Sequence, residues 1–109
     1  MTVENFTKLS GFEVVAMPNP ENEINGAYVG DLLSWVMGRA GEGSVWITIM
    51  TNLNVVAVAS LSDVSCVLLS EGVTPDAEVI RVASEKGVNI LSSPLPSYES
   101  ALKVYEALK

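Results

Sequence analysis

Three short polar clusters follow apolar runs in this chain: Thr51 and Asn52 after SVWITIM, Ser70 and Gly72 after CVLL, and Ser92 and Ser93 after VNIL. If those runs are strands, the clusters fall at strand carboxyl ends, where open α/β sheets hold their ligands. Hydroxyls and carboxamides there would hydrogen-bond a polar or anionic ligand, helped by the free N–H groups of the helix that each cluster precedes. Asp31 and Ser34, at the start of a further helical stretch, complete the set. The expected ligand site is therefore Thr51, Asn52, Gly72, Ser92 and Ser93, with Asp31 and Ser34 nearby or supporting the loop. The competing reading makes each a turn or helix cap worth about 1 kcal/mol, and capping explains Asp31 equally well. A net charge of −7 opposes tight anion binding, so affinity is expected to be micromolar or poorer, about −8 kcal/mol at best.

Other chemistry is poorly provided for. The chain has no histidine, which removes imidazole bases, histidine metal ligands and Ser-His triads. Cys66 is the only cysteine and sits in the apolar run CVLL, so it reads as a buried inert thiol rather than a nucleophile or zinc ligand. The glycines of GRAGEG, residues 38–43, precede a strand rather than a helix, and no GK[ST] follows; they cannot form a phosphate loop. No catalytic residue, metal or cofactor is expected, and no transfer of ATP phosphate. Six scattered Lys and Arg residues against 13 acidic ones give no footprint for nucleic acid. MTVENFTKLS lacks the basic start and apolar core of a signal peptide, and no apolar run approaches the roughly 20 residues of a membrane helix. A cytoplasmic protein without membrane contact is expected.

The 109 residues, 49% of them apolar, suit one domain with a core of its own. Thr2 can cap a helix over Val3–Leu9, with Val3, Phe6 and Leu9 on one side and Gly11 past its end. FEVVAM, 12–17, reads as a strand and MPNPENEING, 17–26, as an exposed loop. Gly26–Gly30 reads as a short extended segment. Asp31 then caps a helix over 31–40 whose Leu32, Leu33, Trp35, Val36 and Met37 leave little polar face, so it is expected to be buried on several sides or to lie in an interface. SVWITIM, 44–50, has the apolar continuity of a central strand. Propensity leaves 53–61 open between strand and buried helix. SCVLLS, 65–70, is a strand. Thr74 as cap, Pro75 at the first position, Asp76 and Glu78 in the first turn and Gly87 as terminator predict a helix with Ala77, Ile80 and Ala83 inward. VNIL, 88–91, is a strand, and Tyr98, Ala101, Leu102, Tyr105 and Leu108 mark the inner stripe of a last helix. Trp35 and Trp46 read as core or interface aromatics. The alternation implies an α/β fold: one open, largely parallel sheet with helices on both faces.

INGAYVGDLLSWVM followed by GSVWITIMTNLNVVAVASLSDV resembles the DRTGG-domain family. Gly26, Tyr28, Asp31, Leu32, Leu33, Ser34, Val36 and Met37 fit its D-L-L-S-x-V-M block. Trp46, Ile47, Thr48, Thr51, Asn54, Ala57, Val58, Ala59 and Leu61 fit its following strand and helix. VTPDAEVIRVASEKGVNILSSP fits its later segment. The name-giving D-R is replaced by Glu21 and Asn22, the second glycine by Ala27, and the family histidine by Asn52. The resemblance implies a fold similar to the N-terminal domain of HPr kinase/phosphorylase and favours helix for 53–61. It implies an accessory role beside phosphotransacetylases or CBS-containing pyrophosphatases, not kinase activity. Function is then expected to be that of a non-catalytic regulatory module, a small homodimer that binds a metabolite or nucleotide and signals to a partner enzyme. A ligand-free dimerisation or adaptor module, docking through the 31–40 helix, is the alternative.

Overall fold

The computed structural model describes residues 1–109. The elements are α1 (Val3–Ser10), β1 (Glu13–Ala16), β2 (Gly26–Val29), α2 (Leu33–Arg39), β3 (Ser44–Thr48), α3 (Leu53–Ser62), β4 (Cys66–Leu69), α4 (Ala77–Lys86), β5 (Ile90–Ser92) and α5 (Ser97–Leu108). They build one five-stranded sheet in the order β1-β5-β4-β3-β2. β2 through β5 are parallel, and β1 runs antiparallel to β5.

Side chains alternate across the sheet. Trp46, Val67, Leu69 and Ile90 pack under α2, α3 and α4, whereas Val45, Ile47, Cys66, Leu68 and Leu91 pack under α1 and α5 with Phe6 and Val104. β3 and β4 are buried on both faces, which is why they read as unbroken apolar runs. Residues 53–62 are helical: Asn52 Oδ1 accepts from Asn54 N at 3.0 Å and starts the helix, and a strand there would leave the β3–β4 parallel pair without its crossover.

Several local expectations are corrected. Asp31 does not cap α2; the capping position is Leu32, with no side-chain bond, because Asp31 is engaged with the end of β3. The cap of α4 is Asp76, whose Oδ1 accepts from Val79 N at 3.1 Å, two residues later than a Thr74 cap with Pro75 at the first position implies. Its buried residues are Val79 and Ala83, while Ala77 is exposed. α1 buries Ser10 rather than Leu9, Ser10 Oγ donating to Phe6 O at 2.7 Å. α5 buries Ser100 and Val104, and the Tyr98, Leu102, Tyr105 stripe faces outward, with Tyr98 72% and Tyr105 63% exposed. The buried Ser93–Ser100 hydroxyl pair, 2.8 Å apart, fixes that rotation of the helix.

The 17–25 segment is not a loose loop. β1 and β2 lie at opposite edges, so it must cross the whole entry side of the sheet, about 4.8 Å per strand. Its asparagines, three residues apart, act as rungs. Asn19 Nδ2 donates to Gly87 O at 2.7 Å and Asn19 N to Asn89 Oδ1 at 2.9 Å. Asn22 Nδ2 reaches Ser65 O at 3.4 Å, Ser65 Oγ donates to Glu23 O, and Asn25 N donates to Gly43 O at 3.0 Å. The close approach requires glycine at two anchors: a Cβ on Gly43 (φ +83°) or Gly87 (φ +75°) would sit 2.7 Å from the Asn25 or Asn19 carboxamide. The other side of this strap caps α1, since Pro20 O and Asn22 O accept from Glu4 N and Val3 N.

Candidate functional site

The strand exits carry the polar clusters, on the side of the sheet opposite the strap. At β3, Asp31 crosses from the β2–α2 turn: its Oδ1 accepts from Thr48 Oγ1 at 2.6 Å and from Ile49 N at 3.1 Å. Thr48 Oγ1 in turn accepts from Met50 N at 3.3 Å. This chain of bonds sets the 49–52 turn that presents Thr51 and Asn52. At β4 and β5 the two exit turns are tied together. Glu71 N donates to Leu95 O at 2.8 Å and Gly72 N to Ser93 O at 2.9 Å, while Ser70 Oγ meets Ser97 Oγ at 2.7 Å. Glu71 holds φ +62°, a conformation that costs a non-glycine residue about 1–2 kcal/mol and that these cross-turn bonds retain.

The seven expected residues do not converge on one cavity. Thr51 and Asn52 line a depression of about 480 Å³ together with Asn54, Asp76, Glu78 and Val79. Gly72 and Ser92 line a second, of about 360 Å³, with Gly11, Glu13, Thr74 and Pro94. Asp31, Ser34 and Ser93 line neither. Ser93 is fully buried, bonded to Ser100 Oγ and Leu95 N, and serves the frame of the turn. Ser34 is exposed on α2. A larger groove, about 630 Å³, lies between α1 and α5, lined by Leu9, Leu102, Lys103 and Glu106 among others.

Sequence reasoning missed the residues that set the electrostatics. Asp76 and Glu78 border the first depression and Glu13 the second, with no lysine or arginine lining either. Such walls suit the hydroxyl, amide or amine groups of a ligand better than bare phosphate. The signal for Glu13 was absent, because only the antiparallel pairing of β1 with β5 brings its start to the exit side.

Cys66 offers no nucleophile. It is fully buried, and burial pushes its thiol from the ordinary 9.0 up to about 12. The native protein is expected to give no reaction with Ellman's reagent at pH 8 and one equivalent once unfolded. The folded thiol keeps its proton where the unfolded one loses it, so stability is full below pH 9 and falls as pH rises toward 12, by up to about 1.4 kcal/mol per unit. Rapid stoichiometric labelling of the native state would contradict this burial. No helix is long and apolar enough to cross a membrane.

No curated protein matches the chain. Among solved structures, it is similar to the crystal structure of the CBS and DRTGG domains of the regulatory region of Clostridium perfringens pyrophosphatase, complexed with its activator diadenosine tetraphosphate. The TM-score is 0.75 at 17% identity, over 98% of this chain and 47% of that one. The likeness is one of fold, and this chain spans about half the length of its neighbour. The sequence profile of the DRTGG domain matches residues 10–107, from the last residue of α1 to the last turn of α5; the chain belongs to the DRTGG domain family.

Proposed function

We propose that this domain is a non-catalytic, cytoplasmic regulatory module, a small homodimer that binds a metabolite or nucleotide at the strand exits and signals to a partner enzyme. The observation that carries the reading is the overlay of nearly the whole chain on half of an enzyme's regulatory region that was crystallised with a nucleotide activator. The acidic borders of both depressions favour recognition through base or sugar groups over recognition through phosphates. The second depression lies beside the β4 and β5 exit turns, which are hydrogen-bonded to each other, so a ligand there meets a braced rim. The exposed Leu32 at the cap of α2 and Trp35 and Met37 within it support the adaptor alternative, in which a partner docks with no small ligand.

A thermal-shift screen with nucleotides, diadenosine tetraphosphate included, and central metabolites tests the reading, since a ligand selective for the folded state raises Tm. The expected hit binds in the micromolar range; Thr51→Val weakens a ligand of the first depression, and Ser92→Ala one of the second, by about 1 kcal/mol or more with the fold intact. A panel without a single stabilising compound, or chemical shifts gathered on α5, would favour the adaptor.

A further inference from the structure

The two edges of the sheet differ in a way that the ligand-sensing reading does not use. β1 is a guarded edge: it carries the charged Glu13, a register break between Val14 and Ala16, and prolines at 18 and 20 just beyond it. β2 is unguarded, with the sequence GAYV and no charge, proline or bulge. Its pairing parity is set by Gly30 N, which donates to Ile47 O at 3.1 Å. In a parallel ladder alternate residues bond the neighbour, so Gly26, Tyr28 and Gly30 face β3 while Ala27 and Val29 direct their N–H and C=O groups outward.

We propose that β2 is the seam of a two-fold dimer, its outward groups pairing antiparallel with those of β2 in a second copy to make one continuous sheet; this rests on the dimeric part of the reading above. Ala27 opposite Val29 of the second copy, and the reverse, place all the outward groups in hydrogen-bonded pairs. The two-fold axis then stands perpendicular to the sheet, so α2 of both copies lies on the same face, side by side. α2 is the outer helix of its layer: it packs on α3, and α3 on α4. It leaves Leu32 57% and Trp35 51% exposed, while Val29, in register with Ile47, faces the α1–α5 side of the same edge and is 51% exposed. Seam and helix patch are thus covered by a single operation.

Charge selects a second copy as the occupant. Two chains of net charge −7 repel wherever acids face each other. From Ile24 to Gly38 the one charged residue is Asp31, and its carboxylate is held by Thr48 and Ile49. Arg39, 3.8 Å above the Trp35 ring, brings a positive charge to the patch. The rival apolar stripe on α5, Tyr98, Leu102 and Tyr105, is interleaved with Glu99, Lys103 and Glu106, and of the three Tyr105 lies beside the edge strand, sharing a groove with Gly26.

Light scattering and sedimentation from 1 to 500 µM (about the span that separates weak from stable association) provide the test. The wild type is expected at twice 11.6 kDa. Val29→Lys and Trp35→Glu should each raise the dimer dissociation constant at least tenfold, and Leu102→Glu should leave it unchanged. Hydrogen exchange on the wild type, which needs no variant to fold, should show the Ala27 and Val29 amides protected in the dimer and open on dilution. A wild type monomeric throughout would overturn the dimer itself. A dimer indifferent to both seam variants but broken by Leu102→Glu, or one whose Ala27 and Val29 amides exchange freely, would keep the dimer and overturn the seam.

Discussion

Replacing Trp46 with alanine is expected to bring the domain to the edge of unfolding at 25 °C. Trp46 sits on β3, the strand between β4 and β2, fully buried under α2 and α3. Truncating a buried aromatic to alanine costs about 3–5 kcal/mol. The indole also donates Nε1–H to Gly30 O at 2.9 Å, and losing that donor adds about 1–3 kcal/mol where the carbonyl finds no water. Against a total of roughly 5–15 kcal/mol for a domain of this size, little remains. Trp46→Phe separates the contributions, because it keeps most of the packing and loses the hydrogen bond; it should cost the smaller part. Trp35→Ala, on the exposed face of α2, should change monomer stability by less than about 1 kcal/mol. Urea titrations of the three variants provide the measurement, and a Trp46→Ala midpoint close to the wild type would refute the central role given to this ring.

Asn89→Asp should be nearly as damaging, though it alters only one atom in size. The Asn89 side chain is buried and bonded at both ends: Oδ1 accepts from Asn19 N at 2.9 Å, and Nδ2 donates to Asn19 O at 2.7 Å and Ser65 O at 3.0 Å. Aspartate keeps the first bond and turns an oxygen toward two carbonyls. A buried charge without a partner costs several kcal/mol, or the group takes up a proton instead. The loss is expected at about 3–5 kcal/mol at pH 7 and should shrink as pH falls and the carboxyl becomes a donor. Asn89→Ala, which leaves the same backbone groups unpaired without adding charge, should cost about 2–4 kcal/mol. Equal stability of Asn89→Asp and wild type at pH 7 would show that the strap does not depend on this clamp.

The architecture was legible where one physical signal dominated. SVWIT and CVLL are continuous apolar runs because both faces of β3 and β4 are covered, and Thr2, Gly11 and Gly87 act as the caps their types imply. Residues 53–61 lack a polar face and could be assigned only through resemblance, since α3 packs between α2 and α4 and leaves little amphipathic period. Where two uses of one residue competed, sequence spacing failed. Asp31 has the type and place of a cap, but the end of β3 takes its carboxylate. On α5 the aromatic stripe looked like the core face, yet the small, hydrogen-bonded Ser100 occupies the interior. The same limit affects the site: positions after strands can be read along the chain, but whether Ser93 points out or is consumed by its own turn depends on a partner seven residues away. Asn89 was visible as a lone polar residue in VNIL, but its partner 70 residues earlier was not.

The strap also dictates an order of events during synthesis. Its anchors at residues 43, 65, 87 and 89 all leave the ribosome after the strap itself, and β1 finds its pairing partner only at residues 90–92. At translation rates of about 5–20 residues per second, the last of these anchors and the partner of β1 emerge roughly 3–13 s after the strap itself. During that interval Phe6 and Phe12, which end in the core, stay in contact with water or a chaperone, while β2, β3 and β4 can already assemble through crossovers that are local in sequence. The nascent domain therefore matures from its middle outward, and closure of the amino-terminal segment over the strand entries is a late, length-gated step shared with the docking of α5.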